Sequence, residues 1–292
     1  MSIKSIVQMK FHHLYLIIFS LIMMQFNPPA FAETKKVIYI YKDVGNSQSA
    51  LLQAVNTFKT VSPSSFTVKT IDAKEVIKNN WSRDAALFVM PGGADLPYVK
   101  KLNGKGNFYI KNYVKNGGAY LGLCAGAYYA SLQVEFDKNG ALEVLGIREL
   151  AFFNGKSIGP VLAKYDYKTQ SGARAAKIKI TSSNLKEATI YYNGGGYFNN
   201  ADKIKNVKVM GYYSNQKPAI ISIKYDKGYV VLSGVHFEYD SSLLDPKDPF
   251  LVKLIPELNS SNKNRLVLLN NVLKELHIEG VVERTEDVFI NF

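Results

Sequence analysis

The chain of 292 residues contains one cysteine, Cys124, and four histidines, two of which, His12 and His13, lie close to the amino terminus. A single cysteine excludes an intramolecular disulfide framework, so its thiol is either a small buried hydrophobe or a group put to use. Long apolar runs are also missing: Leu14 to Phe26 falls short of the roughly 20 residues that a bilayer-spanning helix needs, and no later segment reaches that length. The sequence has no internal repeat, low-complexity tract or Pro/Ser linker. It also lacks histidine and cysteine spacing suited to a metal, and no cofactor is expected. Acidic residues number 24 against 36 basic ones, but the lysines are scattered and no nucleic-acid motif accompanies them. They read as a solvated basic surface, and no nucleic-acid partner is expected.

At the amino terminus Lys4 and Lys10 precede the apolar run, and Ala30-Phe31-Ala32 comes after it, the pattern of an export signal cleaved after Ala32. Removing residues 1–32 takes away two lysines and no acids, so the formal charge falls from +12 to +10. The expected product, 33–292, is periplasmic or secreted and has no stable membrane insertion.

Beyond Ala32 the chain alternates strands with helices. Val37 to Tyr41 is a β-branched and aromatic run leading to a helical pattern through Ala50, Ala54 and Phe58. Phe66 to Ile71 is a second strand, after which Asp72 caps a helix carrying Val76 and Ile77. Ala85 to Met90 is a continuously apolar third strand. Then come Pro91-Gly92-Gly93, one helix with Ile110, Tyr113 and Val114 on a face, and the strand Ala119 to Leu123. This order predicts a doubly wound, mainly parallel α/β sheet. From about 142 to 225 short β runs interrupted by Gly, Asn and Lys predict an antiparallel or mixed β-rich insertion within one domain spanning 33–292. Gly228 to Val235 returns to a buried strand, and a closing amphipathic helix carries Leu266, Leu269, Leu273 and Leu276.

Gly122-Leu123-Cys124-Ala125-Gly126 has the G-x-nucleophile-x-G form, in which small neighbours let a strand turn abruptly into a helix with the nucleophile at the bend. Ala127 to Ala130 continue as that helix, whose free N–H groups favour a thiolate at its start. Of the two histidines beyond the leader, His277 ends the last helix, whereas His236 ends a predicted central strand with Glu238 two residues on. The set Cys124, His236 and Glu238 therefore supplies a nucleophile, a base and a carboxylate to orient the base. Backbone N–H groups of Ala125 and of Gly92 or Gly93 are candidate oxyanion donors. Asn193 to Phe198, with three consecutive glycines, is either a rim over the site or a tight turn, and it lacks the Lys-Ser/Thr ending of a phosphate-binding loop.

Met90-Pro91-Gly92-Gly93, the cysteine elbow and His236-Phe237-Glu238 together resemble the three landmarks of class I glutamine amidotransferase-like domains. Within that superfamily, Gly122 to Ser131 (GLCAGAYYAS) and Tyr191 to Phe198 (YYNGGGYF) look most like the N-terminal-type domain of biotin-protein ligases and its free-standing bacterial forms. The resemblance implies a flavodoxin-like fold and the cysteine, histidine and carboxylate roles already named. It also departs from the glutamine-using pattern, since Tyr128 and Phe237 stand where Gln and Pro are usual, so glutamine is not named as substrate. No Gly-Arg-Gly-x-x-Arg biotinyl-adenylate motif occurs.

The leading expectation is an exported hydrolase acting on an amide or small peptide-like compound, with Tyr128 and Tyr197 among its substrate contacts. The second is a non-catalytic binding protein whose pocket is lined by Tyr98, Tyr128, Tyr192 and Tyr197. Redox sensing through Cys124 ranks last for want of a resolving cysteine.

Overall fold

The computed structural model describes residues 36–62 and 64–278. The expected export signal lies outside these residues. Five parallel strands form half of a nine-stranded sheet: β1 (Val37–Tyr41), β2 (Thr67–Ile71), β3 (Ala85–Met90), β4 (Ala119–Leu123) and a later strand, Gly228–Ser233, in the order β2-β1-β3-β4 and then that strand. This is the flavodoxin-like order. β1 and β4 are buried at every position, as expected of strands covered on both faces.

The connecting helices form where their local signals place them. Helix α1 (Gln48–Val61) is capped by the Ser47 hydroxyl, and α2 (Ala73–Lys78) opens on a full capping box between Asp72 and Glu75. The stretch read as one helix after Gly93 is two, α3 (Asp95–Leu102) and α4 (Lys105–Lys115), separated at Asn103 and Gly104. Helix α5 (Ala125–Tyr129) is shorter than expected, because the chain enters β5 (Ser131–Phe136) directly after Ala130.

β-rich structure therefore begins at Ser131. β5 joins β6 (Val144–Ile147), β7 (Phe153–Gly159) and the two-residue β10 (Tyr197–Phe198) in a second sheet, ordered β10-β7-β5-β6. The remaining strands of this region are β8 (Arg174–Ile180), β9 (Glu187–Tyr192), β11 (Val207–Tyr213) and β12 (Pro218–Tyr225). They extend the main sheet antiparallel from β13 (Gly228–Ser233), in the order β13-β12-β11-β8-β9. Two apolar layers pack on the main sheet. One joins α1 to the closing helix α7 (Asn262–Glu275), which comes after the short α6 (Ile255–Ser260). The other holds Trp81, Phe88, Tyr98 and Tyr120 on the opposite side.

Candidate functional site

β4 delivers Cys124 at its carboxyl end with φ 50° and ψ −106°, a backbone that side-chain-bearing residues rarely adopt. The neighbours make the bend passable: a Cβ on Gly126 would lie 2.1 Å from the Met90 carbonyl oxygen, so only glycine lets α5 pack this closely on β3. The Cys124 N–H donates to Ser233 O of β13 at 2.8 Å, and its carbonyl accepts from Ala127 and Tyr128. The thiol is nearly buried, and while it keeps its proton it is within hydrogen-bond reach of the Asn193 carbonyl at 3.6 Å.

His236 lies just beyond β13, and its N–H bonds to Tyr191 O at 2.8 Å across an isolated bridge. Its Nδ1 lies 2.7 Å from Glu238 Oε1, which leaves Nε2 for the cleft. Burial works to lower the imidazole pKa, but the Glu238 carboxylate and contact with the Cys124 sulfur outweigh it and raise the value to about 10. His236 is thus protonated at neutral pH. The His236–Glu238 turn is held from outside the cleft: Thr57 Oγ1 donates to Glu238 O at 2.6 Å and Arg265 donates to Phe237 O at 3.1 Å. Gln53 exchanges two hydrogen bonds with the backbone of Asp240. Phe237, where relatives that use glutamine carry Pro, is fully buried in the core below the site.

Gly92 lies between Cys124 and His236, since a Cβ there would sit 2.9 Å from His236 Cε1 and 3.6 Å from Cys124 Cβ. The loop is clasped by the turn after β1, with Ser47 N–H donating to Gly92 O and Ala94 N–H to Gly45 O. The Gly93 N–H lies between those two bonds and takes part in neither. Ala125, as the first residue of α5, has an N–H without an intrahelical acceptor.

Cys124, His236, Gly92, Gly93, Ala125 and Tyr128 all line one cleft, with Glu238 behind His236. Tyr197 is not brought there. On β10 it pairs with Ile158 of β7, and the Lys217 ammonium sits 4.4 Å over its ring. Tyr98 and Tyr192, expected as pocket aromatics, are core residues whose hydroxyls are spent on backbone groups. The aromatic walls come instead from Phe136, Tyr165, Tyr167, Tyr191 and Tyr239. Only Tyr191 falls in a motif, at the start of YYNGGGYF; no motif marked the others, because they reach the cleft from β5 and two loops.

The triple-glycine segment is a packed strap rather than a loose rim. Its three carbonyls accept from three tyrosine hydroxyls: Gly194 from Tyr128 at 3.2 Å, Gly195 from Tyr192 at 3.0 Å and Gly196 from Tyr213 at 3.0 Å. The strap fixes Asn193 over the thiol. Among the described residues no group of three or more His, Cys, Asp or Glu side chains could hold a metal ion, and no helix is long and apolar enough to cross a membrane.

The sheet order defines a flavodoxin-like α/β domain, with Cys124, His236 and Glu238 gathered at the carboxyl ends of its strands. More narrowly, the chain belongs to the family described as biotin-protein ligase, N terminal, whose model matches residues 36–289. It is 36% identical over 252 residues to a biotin–protein ligase of Schizosaccharomyces pombe, covering 83% of this chain but only 38% of that protein. An uncharacterized protein of Chlamydia muridarum is 39% identical over 209 residues, 69% of this chain and 80% of the other. Among solved structures, a putative GMP synthase subunit from Thermoplasma acidophilum aligns at TM-score 0.47 and 12% identity, over 79% of this chain and 98% of its own. A putative ThuA-like protein from Bacteroides uniformis aligns at 0.47 and 14% identity, over 77% and 92%.

Proposed function

We propose that the chain is a cysteine-dependent hydrolase of amide bonds in a small or peptide-like substrate. The observation that carries this reading is that the strained Cys124 elbow and His236 flank Gly92 on one cleft, with Glu238 bonded to His236 at 2.7 Å. The Cys124 sulfur, having given its proton to His236 Nε2, attacks the amide carbonyl carbon. The oxyanion so formed is met by the N–H groups of Ala125 and Gly93. The C–N bond breaks as His236 protonates the leaving nitrogen, giving a free amine and a thioester on Cys124. Water then attacks the thioester, His236 takes its proton, and the acid leaves as the thiolate is regenerated. Glu238 holds the ring through Nδ1.

The ligase activity in the name of the S. pombe relative is not part of this reading, because the chain lacks the Gly-Arg-Gly-x-x-Arg motif. Export, read from Lys4 to Ala32, is proposed alongside it and is tested by fractionating cells that express the full chain. For the chemistry, the test is intact-mass analysis of protein quenched during exposure to a panel of amides. A mass increase equal to the acyl group, absent in Cys124→Ala, is expected. Equal turnover by Cys124→Ala would exclude the mechanism. One observation favours a second reading, a binding domain without turnover: the thiol donates to the Asn193 carbonyl. On that reading the panel yields bound amides and no thioester.

A further inference from the structure

The cleft has two halves of different chemistry, and Cys124 stands at their junction. Gly93, Cys124, Tyr165 and Asn193 line both halves. On one side lie Val134, Phe136, Val144 and Tyr167, with Tyr128 beneath. Phe136 meets Tyr128 and Tyr165 edge to face at 5.7 and 6.0 Å, and Tyr165 meets Tyr167 at 4.8 Å, so the aromatic wall is continuous. The carboxylate on this side, Asp95, is bonded to the buried Arg148 at 2.7 Å, which compensates its charge. On the other side lie Ser47, Ser49, Gln170 and Tyr239, together with His236. The hydroxyls of Ser47, Ser49 and Tyr239 form a chain with both links at 3.0 Å. Gln170 Oε1 accepts from Tyr191 and Asn193.

His236 lines only the polar half. The group that receives its proton must therefore leave on that side, and the acyl group must extend the other way past Ala125, which lines only the aromatic half. Resting on the hydrolase reading, we infer that the site takes its amide in one direction. An apolar or aromatic acyl group fills the Phe136–Tyr167 half, and a polar, hydroxyl-bearing amine faces Ser49 and Tyr239. The aromatic half recognises by area and ring edges, and the polar half by exchanging hydrogen bonds with hydroxyls. A polar acyl chain such as that of glutamine would meet apolar walls at Phe136 and Val144, which agrees with Tyr128 and Phe237 replacing the residues usual in glutamine-using relatives.

The test uses two amides with the same end groups and opposite amide direction: N-phenylacetyl-ethanolamine, and the amide of phenethylamine with glycolic acid. Their binding to Cys124→Ala is measured by calorimetry, so the result does not depend on whether the thiol turns over. The phenylacetyl compound is expected to bind at least tenfold more tightly. Tyr167→Ala, at an exposed position, is expected to weaken it roughly five- to tenfold. Ser49→Ala, also exposed, is expected to weaken it about threefold to tenfold while leaving N-phenylacetyl-ethylamine, which lacks the hydroxyl, unaffected. Equal binding of the two amides, preference for the reversed one, or binding of neither overturns the inference. Preferred binding without any thioester on the wild-type protein would instead remove the hydrolase reading and leave this directional site standing.

Discussion

Glu238 Oε1 sits 2.7 Å from His236 Nδ1, and Glu238 has no exposed surface. Burying a carboxylate is costly unless a cation meets it, and the protonated imidazole is that cation, with the buried Arg265 adding to the field. The pair fixes the ring's tautomer and its direction. Thr57, Arg265 and Gln53 hold the backbone of the same turn, so the geometry is set from α1 and α7 rather than from the cleft.

This pairing gives stability a defined dependence on pH. The folded-state pKa of His236 is raised from 6.5 to about 10, so the folded protein binds a proton that the unfolded chain releases above about pH 6.5. The stabilisation is full below that pH and is lost as pH rises towards 10. Glu238→Gln keeps the shape and removes the charge. It is expected to cost about 1–3 kcal/mol near pH 6, with the gap to wild type closing at high pH. Urea unfolding of both proteins across that range checks it, and a gap that widens with pH contradicts the pairing.

The Cys124 backbone stores strain that the thiol's position requires. A side chain at φ 50° and ψ −106° costs on the order of 1–3 kcal/mol, and glycine escapes it. Cys124→Gly is expected to be more stable than Cys124→Ala by about 1 kcal/mol, although the reverse order holds at ordinary helix and strand positions. On the proposed mechanism both variants are expected to form no thioester. Thermal unfolding of the two side by side decides the point, and an alanine variant that melts higher would mean the elbow is unstrained.

The tyrosine hydroxyls that hold the glycine strap can be separated from ordinary core packing. Tyr213→Phe removes the 3.0 Å bond to Gly196 O inside the core and is expected to cost about 1–3 kcal/mol. Tyr41 is the control: it is just as buried, but its hydroxyl has no partner among the described residues, so Tyr41→Phe is expected to be neutral or stabilising. Chemical denaturation of the pair gives the comparison. Equal losses at the two positions would show that the strap bonds contribute nothing beyond ring packing.

The parts of the site legible in the sequence were those set by local chemistry. The Gly122 to Gly126 spacing specifies a bend whatever surrounds it, and His236 with Glu238 lies just beyond an apolar run that could only be a buried strand. The five parallel strands were readable because each is a short apolar run closed by a turn or capped helix. The cleft walls were not. Phe136 and Tyr165 look like any core aromatics; the pairing of β5 with β7 carries Phe136 to the cleft, and Tyr165 reaches it from the loop between β7 and β8. Tyr197 was misplaced for the same reason. Its nearness in sequence to the strap suggested the site, but two residues of β10 pairing with β7 turn it towards Lys217. The break between α3 and α4 at Asn103 and Gly104 was hidden because apolar residues continue on both sides of it.

Gly92 tests whether the site depends on ångström-scale placement. Its backbone suits any residue, but an added Cβ would stand 2.9 Å from His236 Cε1 and 3.3 Å from Ala50 Cβ. The ring cannot yield by rotation without giving up Glu238, and Ala50 belongs to a packed helix, so the strain falls on the distance between His236 and Cys124. Gly92→Ala is expected to cost about 1–3 kcal/mol in stability, as overpacking does, and to slow thioester formation by about 100-fold. Rapid-quench mass measurement reads the rate, and near-ultraviolet circular dichroism confirms that the fold is intact. A folded Gly92→Ala protein that acylates at the wild-type rate would show that His236 does not serve the thiol.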